Sequence, residues 1–312
     1  MVLKACAYPG LPVVFAEGFR DYERRIGLHA SVSLALTDAA GKVRTLTEVS
    51  PLEGGKGGFL VNGKPPEGRR GEDMGVVVEL LKKKAKFTGE LRIESHNEGI
   101  ATGSSDSGAA ALATALNGFL SLGLSVDELL PYATCGSETA YRSLYGGLSA
   151  YDPASLEAEL LADRRELRDV RAFVVEFPSE RRAADDLHKR IVEHPKYPLR
   201  LKRIPEKVRG AKEAAADGDL VSLFSLMEDE ARTFHGLVED LGFPVRTAQM
   251  KGLTSLVESW RKKGLNCFWN VAGGSAVYVF CLKDDAESVS RKIDEEGFKS
   301  RIFVVGGAAK LI

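Results

Sequence analysis

The sequence predicts an α+β protein of two lobes, and three observations carry that prediction. Apolar runs at 6–15, 29–36, 43–49, 59–61 and 91–94 read as strands, and they lead into a Gly/Ser turn followed at once by an Ala-rich helix. From 182 to 262 the apolar periodicity is almost wholly helical. Between 267 and 305 the order strand, hairpin, helix, strand points to a ferredoxin-like lobe with helices packed on its sheet. The lobe boundary falls near Phe177-Pro178-Ser179, dividing the chain into residues 1–177 and 178–312.

Each element has its own reason. Cys6 to Phe15 holds short apolar runs punctuated by Pro9, Gly10 and Pro12. His29 to Leu36 sets Ala30, Val32, Leu34 and Leu36 against Ser31, Ser33 and Ala35, the pattern of a half-buried strand. Val43–Val49 and Phe59–Val61 are further strands, with Asn62-Gly63 as a hairpin-type turn. Gly54–Gly58 is a Gly-rich loop, Met74–Lys84 a helix, and Leu91–Glu94 a strand entering the Gly/Ser turn. The helix after that turn runs from about Asp106 to Leu120, with Ser105, Asp106 or Ser107 as its N-cap. Ser125-Val126-Asp127-Glu128 has the form of a capping box. Cys135–Leu144 continues helically to Gly146-Gly147, and Leu148–Tyr151 and Ala172–Phe177 are strands. Helices follow at Arg182–Val192, Leu199–Ala215, Leu220–Leu241 and Ala248–Lys262. The tail holds strands Cys267–Val271 and Ala276–Leu282 around Gly273-Gly274-Ser275, a helix Glu287–Glu296 and a strand Arg301–Val305.

Composition narrows the function classes. The 312 residues carry a formal net charge of -1, so no global attraction to nucleic acid or a polyanionic surface exists. Aromatic residues are sparse and not interleaved with basic ones, which removes a base-stacking platform. Cys6, Cys135, Cys267 and Cys281 have no metal-ligand spacing and read as small apolar residues of a reducing compartment. No signal-peptide pattern and no apolar run near ~18 residues is seen, so a cytoplasmic protein without membrane contact is expected.

The chemistry concentrates in Asn97-Glu98-Gly99-Ile100-Ala101-Thr102-Gly103-Ser104-Ser105-Asp106-Ser107-Gly108. A helix start presents unpaired N–H groups and the positive end of its dipole, which suits an anion. Glycines let phosphate approach the backbone, and serine hydroxyls bond phosphate or a phosphate-bound metal. A serine-capped turn is the plainer meaning of such a cluster; no Gly-Lys-Ser or Gly-Lys-Thr phosphate loop competes with it elsewhere.

Three stretches, taken together, resemble the GHMP small-molecule kinase superfamily: 7–18 (Ala7-Tyr8-Pro9-Gly10 through Glu17-Gly18), 103–110 (Gly103-Ser104-Ser105-Asp106 through Ala110) and 270–277 (Asn270-Val271-Ala272-Gly273 through Val277). Arg142-Ser143-Leu144-Tyr145-Gly146-Gly147 resembles the Arg-Ser-Leu-(aromatic)-Gly-Gly signature of the diphosphomevalonate decarboxylase family within it. The resemblance implies a two-lobe GHMP kinase fold with the phosphate loop in the amino-terminal lobe, and a site between the lobes. It implies ATP, magnesium and a mevalonate-derived small molecule; family members are often dimers. The family phosphorylates a tertiary 3-hydroxyl, and loss of that phosphate drives decarboxylation. It further implies that Gly103, Ser104, Ser105, Asp106, Ser107 and Gly108 hold ATP phosphates, with magnesium reached through Ser104 and Ser105. Ser105 and Arg142 then rank as catalytic, Arg142 holding the substrate carboxylate with its guanidinium fork. Phe15, Glu17, His29, Glu138 and Ala272 stand where substrate is contacted.

Departures from the pattern sharpen the expectation. Family decarboxylases have an aspartate, the candidate base, just before the Ala-Gly of the third stretch; the run here is Val271-Ala272-Gly273-Gly274. A general base contributes roughly 10²–10⁴-fold, whereas phosphoryl transfer leans more on positioning and charge neutralisation. The family's Lys-Tyr-Trp-Gly run reads Phe15-Ala16-Glu17-Gly18, without the lysine that would meet a phosphorylated substrate. Glu138 resembles the glutamate with which mevalonate 3-kinases face a free 5-hydroxyl; the alternative is an ordinary i,i+4 pair with Arg142. Glu72-Asp73-Met74-Gly75 stands where relatives tend to have Asn and Arg for the nucleotide. Arg181, Arg182 and Lys189 could bind a second phosphate, or form a solvated helix face. His29 is either a substrate contact or a structural histidine, and His96 reads as structural.

The expected activity is ATP-dependent phosphorylation of the mevalonate 3-hydroxyl without decarboxylation. The enzymatic alternative is decarboxylation of phosphorylated mevalonate, in particular the 3,5-bisphosphate, which would need no ATP. An alternative of another class is a non-catalytic ligand sensor on the same fold.

Overall fold

The computed structural model describes residues 2–52, 58–66, 68–178 and 184–312. The chain opens with β1 (Leu3–Ala7) and β2 (Gly10–Val14), a short hairpin of β3 (Phe19–Asp21) and β4 (Ile26–Gly27), then β5 (Ser31–Thr37) and β6 (Arg44–Pro51). β7 (Gly58–Val61), α1 (Gly68–Ala85) and β8 (Leu91–Glu98) follow. Helices α2 (Ser104–Phe119), α3 (Val126–Gly136) and α4 (Tyr141–Tyr145) precede β9 (Leu148–Asp152), β10 (Glu157–Ala162) and β11 (Val170–Glu176). The second half has helices α5 (Ala184–Ile191), α6 (Tyr197–Ala216), α7 (Leu220–Asp240) and α8 (Ala248–Lys262). It ends with β12 (Cys267–Asn270), β13 (Ala276–Leu282), α9 (Ala286–Glu295), β14 (Arg301–Val305) and β15 (Lys310–Leu311). The Gly-rich loop expected at Gly54–Gly58 lies outside the described residues except for Gly58, which opens β7.

Two sheets carry these elements. The first has the order β15-β1-β6-β8-β7 and is antiparallel except for the β7–β8 pair. Its core is closed by α1, α2 and α3, and the alanines Ala109, Ala110 and Ala113 let α2 lie close to neighbours on nearly every side. The second sheet has the order β10-β9-β5-β14-β11-β13-β12, with β2 paired to β5. The expected lobe boundary at 177/178 falls between β11 and α5, yet the sheet crosses it: β11 pairs with β13 and β14, and β14 pairs in turn with β5. The last strand, β15, returns to β1.

Three local expectations are corrected. β5 is buried along its whole length rather than on one face, because β2, β9 and β14 all pair with it. Its polar side is accommodated by Tyr141, whose hydroxyl lies 2.9 Å from both Ser31 Oγ and Ser33 Oγ. The helix expected through Cys135–Leu144 breaks after Gly136: Ser137 is extended (φ -158°, ψ 125°), and the Ser137 and Thr139 hydroxyls donate to Asp106 instead of continuing the turn. The N-cap of α2 is Gly103 and not a serine or Asp106, as the site description explains. The expected capping box of α3 is present, Ser125 N–H donating to Glu128 Oε2 at 2.9 Å and Glu128 N–H to Ser125 Oγ.

Behind the junction of the sheets, His235 of α7 donates from Nε2 to the Val271 carbonyl at 2.6 Å, while its Nδ1 is buried without a partner. Burial, opposed chiefly by that backbone bond, lowers its pKa to about 4. The folded protein therefore holds His235 neutral, a contribution present above the unfolded value of 6.5 and lost as pH falls through about 4. The cost of charging it in the folded state is roughly 3 kcal/mol. Thermal unfolding should shift to lower temperature between pH 6.5 and 4. His235→Gln, which keeps a donor for Val271 but cannot titrate, should show a shallower fall over that window.

Candidate active site

The start of α2 is an open helix end. Gly103 occupies the N-cap with φ 80° and ψ 21°, and no side chain caps the first turn. The left-handed backbone suits glycine, and space demands it too: a Cβ there would stand 2.7 Å from the Gly10 carbonyl oxygen. The first amide donors of α2 are thus left for an external acceptor. Ser107, expected to face phosphate, instead donates to the Gly103 carbonyl at 3.1 Å and bonds Thr45 Oγ1 at 2.7 Å. Ser107 is fully buried, and neither it nor Gly108 lines the cavity in front of the helix; Gly103, Ser104, Ser105 and Asp106 do.

Arg142 lines the same cavity, of about 250 Å³, from α4. Its stem lies across Gly10 of β2 so closely that a Cβ on Gly10 would be 1.8 Å from Arg142 Cδ. Nη1 stands 3.3 Å from Asp106 Oδ2, and the buried Nε has no partner within the protein. Asp106 also accepts from the Ser137 and Thr139 hydroxyls. Burial nonetheless pushes its pKa up against Arg142 and those hydroxyls. The guanidinium is therefore steered by one carboxylate and still offers an unpaired donor to a second.

Glu138 lines the cavity, where the substrate reading of the sequence expects it, and its side chain also bonds within the protein. Arg25 binds its Oε2, at 2.8 Å from Nε and 2.6 Å from Nη2, and His188 Nε2 stands 3.3 Å from Oε1. The expected i,i+4 pairing with Arg142 is replaced by this network. Gly18 N–H donates to His188 Nδ1 at 3.1 Å, which leaves the imidazole proton on Nε2, facing Glu138. Arg25 also binds Asp73 at 3.0 Å, and Asp73 accepts from Arg69 at 2.9 Å. The chain of charges ties the β3–β4 hairpin, α1 and α5 to the cavity wall.

Phe15, Glu17 and Ala272 also line the cavity. Phe15 stacks on Phe234 with ring centroids 4.3 Å apart. Val271, next to Ala272, is fully buried and offers the cavity no carboxylate. Glu17 Oε2 is buried without a hydrogen-bond partner, 4.0 Å from Arg200 Nη2. Desolvation raises its pKa to about 7 against the opposing pull of Arg200, His188 and Arg142.

His29 is not in this cavity. Its Nδ1 donates to the Ala30 carbonyl at 2.8 Å and its Nε2 accepts from Arg200 Nη1 at 3.1 Å, so it buttresses an arginine rather than a ligand. Burial and Arg200 lower its pKa to about 4. Arg181 and Arg182 lie outside the described residues. Lys189 is exposed with Nζ 4.6 Å over the Tyr22 ring and does not line the cavity. Sequence reasoning missed Arg25, Thr139 and Arg200, and gave Gly10 and Asp73 no part beyond membership of the stretches compared with the family. Nothing local distinguishes Arg25, Thr139 and Arg200, because each matters through a partner distant in sequence.

Known proteins resemble the chain along its length. Residues 7–162 match the family described as the diphosphomevalonate decarboxylase-like N-terminal domain, and 182–287 the mevalonate-3-kinase C-terminal domain. Mevalonate 3-kinase of Thermoplasma acidophilum is 29% identical over 97% of this chain and 95% of its own. Phosphomevalonate decarboxylase of Haloferax volcanii is 25% identical over 100% and 98%. The crystal structure of the Thermoplasma mevalonate-3-kinase with mevalonate 3-phosphate and ADP bound superposes with a TM-score of 0.90 at 27% identity, covering 100% of this chain and 97% of that one. The two-lobe α+β architecture, the open helix start and the signature arginine have one common explanation: the chain belongs to the diphosphomevalonate decarboxylase-like family of GHMP-fold enzymes.

Proposed function

We propose that the protein phosphorylates the 3-hydroxyl of mevalonate with ATP and does not decarboxylate the product. The observation that carries this reading is the meeting, in one cavity of about 250 Å³, of an uncapped helix start and a buried arginine with an unpaired donor. The first binds phosphate oxygens and the second a carboxylate. The described residues of the wall favour mevalonate over its 5-phosphates: apart from Arg142 they include no arginine or lysine, so an additional phosphate would meet no such cation of its own. The relatives named mevalonate 3-kinase support the same choice.

The residues divide the work. Backbone amides from Gly103 to Asp106, with the Ser104 and Ser105 hydroxyls, would hold the nucleotide's phosphates; the uncapped first turn fits such a ligand. Among the described residues no group of three His, Cys, Asp or Glu side chains could hold a metal, so magnesium would be held by phosphate oxygens and serine hydroxyls. Bound ATP supplies the phosphoryl group, and the metal neutralises its oxygens. Arg142 fixes the acid end of the substrate, and Phe15 and Ala272 provide an apolar wall that restricts water. Val271 brings no carboxylate to the site, in keeping with transfer that stops at the phosphate.

Incubation with mevalonate, its 5-phosphates and mevalonate 3,5-bisphosphate, with and without ATP, tests the reading. ADP formed with mevalonate and without carbon dioxide is the expected result; ATP-independent carbon dioxide from the bisphosphate would replace it with the decarboxylase reading. Arg142→Lys keeps the charge facing Asp106 but loses the planar fork, and the KM for mevalonate should rise roughly tenfold or more. Gly10→Ala adds only a methyl group at the cavity wall and removes no polar group, yet it must displace the Arg142 stem. It should lower kcat/KM by about tenfold to a hundredfold in steady-state assays while the protein remains folded by circular dichroism.

A further inference from the structure

We infer that Glu17 is the catalytic proton acceptor for the hydroxyl that is phosphorylated. The inference rests on the kinase reading and extends it to a group that the usual chemistry of the fold does not require.

The cavity has three carboxylates among its described lining residues, and they differ in what they already bind. Asp106 accepts two side-chain hydroxyls and faces Arg142. Glu138 has one oxygen on Arg25 and the other facing His188. Glu17 Oε2 is buried and receives no hydrogen bond from the protein. The nearest cation does not serve it: Arg200 Nη2 is 4.0 Å away and donates instead to the Phe15 carbonyl at 3.0 Å and to Glu230 at 2.5 Å. A buried acceptor left without a donor is unfavourable, more so when it is charged. A hydroxyl-bearing ligand entering the cavity would remove that cost.

Glu17 is also held in place. The Tyr197 hydroxyl donates to its carbonyl at 2.5 Å, and the next residue, Gly18, is fastened by its N–H to His188. The charged groups around the carboxylate come from four elements: Arg200 of α6, Glu230 of α7, His188 of α5 and Arg142 of α4. Desolvation outweighs the cations and leaves a group that titrates at about 7, in the range that suits proton transfer near neutrality.

The step balances. The substrate O–H proton passes to the Glu17 carboxylate as the hydroxyl oxygen bonds to the γ-phosphorus of the nucleoside triphosphate. The bond from that phosphorus to the β,γ-bridging oxygen breaks, and the nucleoside diphosphate leaves with the electron pair. Glu17 then gives its proton to solvent.

The test compares wild type with Glu17→Gln and Glu17→Asp. With mevalonate and ATP, E17Q should lose about 10²–10³-fold in kcat, with KM for mevalonate changed far less. Wild-type kcat should rise with pH through about 7, and E17Q should lack that limb. E17D should recover part of the rate. A second measurement uses no substrate. Because the folded pKa lies above the unfolded 4.5, the stability Glu17 contributes is complete below 4.5 and is lost as pH rises through about 7. The melting temperature of ligand-free E17Q should therefore gain on that of wild type across this window. An unchanged kcat with the acid limb intact, a change in KM alone, or a melting difference that does not vary with pH overturns the assignment of Glu17 and leaves the kinase reading standing. No ADP from wild type overturns both.

Discussion

Two absent Cβ atoms set the geometry of this site. A Cβ on Gly103 would collide with the Gly10 backbone, 2.7 Å from its oxygen and 3.0 Å from its nitrogen, and a Cβ on Gly10 would collide with the Arg142 stem. Three segments around residues 10, 103 and 142 therefore close on one another with nothing between them but hydrogen. This contact brings the amide end of α2 and the guanidinium of α4 to one small cavity. The sheet that crosses the lobe boundary, with β14 paired to both β5 and β11, carries Ala272 and the far wall into register with them.

Around that contact the structure treats four acids differently. Asp106 orients Arg142. Glu138 and Asp73 neutralise Arg25, whose side chain is almost wholly buried and whose backbone adopts a left-handed φ of 54°. Removing one partner from such a network leaves a buried charge uncompensated, typically at about 3–5 kcal/mol. The network therefore pins the hairpin and α5 to the wall, a positional role for residues whose composition alone suggests only surface charge. Glu17 is the exception, since its cation is spent elsewhere. A fully paired Glu17 would be a permanent anion and a poor proton acceptor; an unpaired one is poised.

Much of this was readable in advance. The Gly/Ser turn before an Ala-rich helix, the strand-hairpin-helix-strand tail and the Arg-Ser-Leu-Tyr-Gly-Gly run are local patterns, and local patterns survive folding because they are imposed by backbone geometry and side-chain shape. The misreadings arose where a distant residue changed the local outcome. The serine N-cap was a sound inference from helix-start chemistry, but Gly10 left space at position 103 only for glycine. The helix across Ser137 was a sound inference from periodicity, but Asp106, 31 residues earlier, captured that serine's hydroxyl.

The amino-acid sequence by itself determined the fold class, the Gly/Ser-rich helix start and the arginine signature, because each is written in contiguous residues whose spacing matches a helix turn or a strand. It also determined that no aspartate precedes Ala272. Only the tertiary structure decided which charges meet. Glu138 and Arg25 are 113 residues apart, and Arg200 binds Phe15 across 185 residues. Electrostatic pairing depends on distance and burial in space, and neither quantity is encoded in the order of the chain.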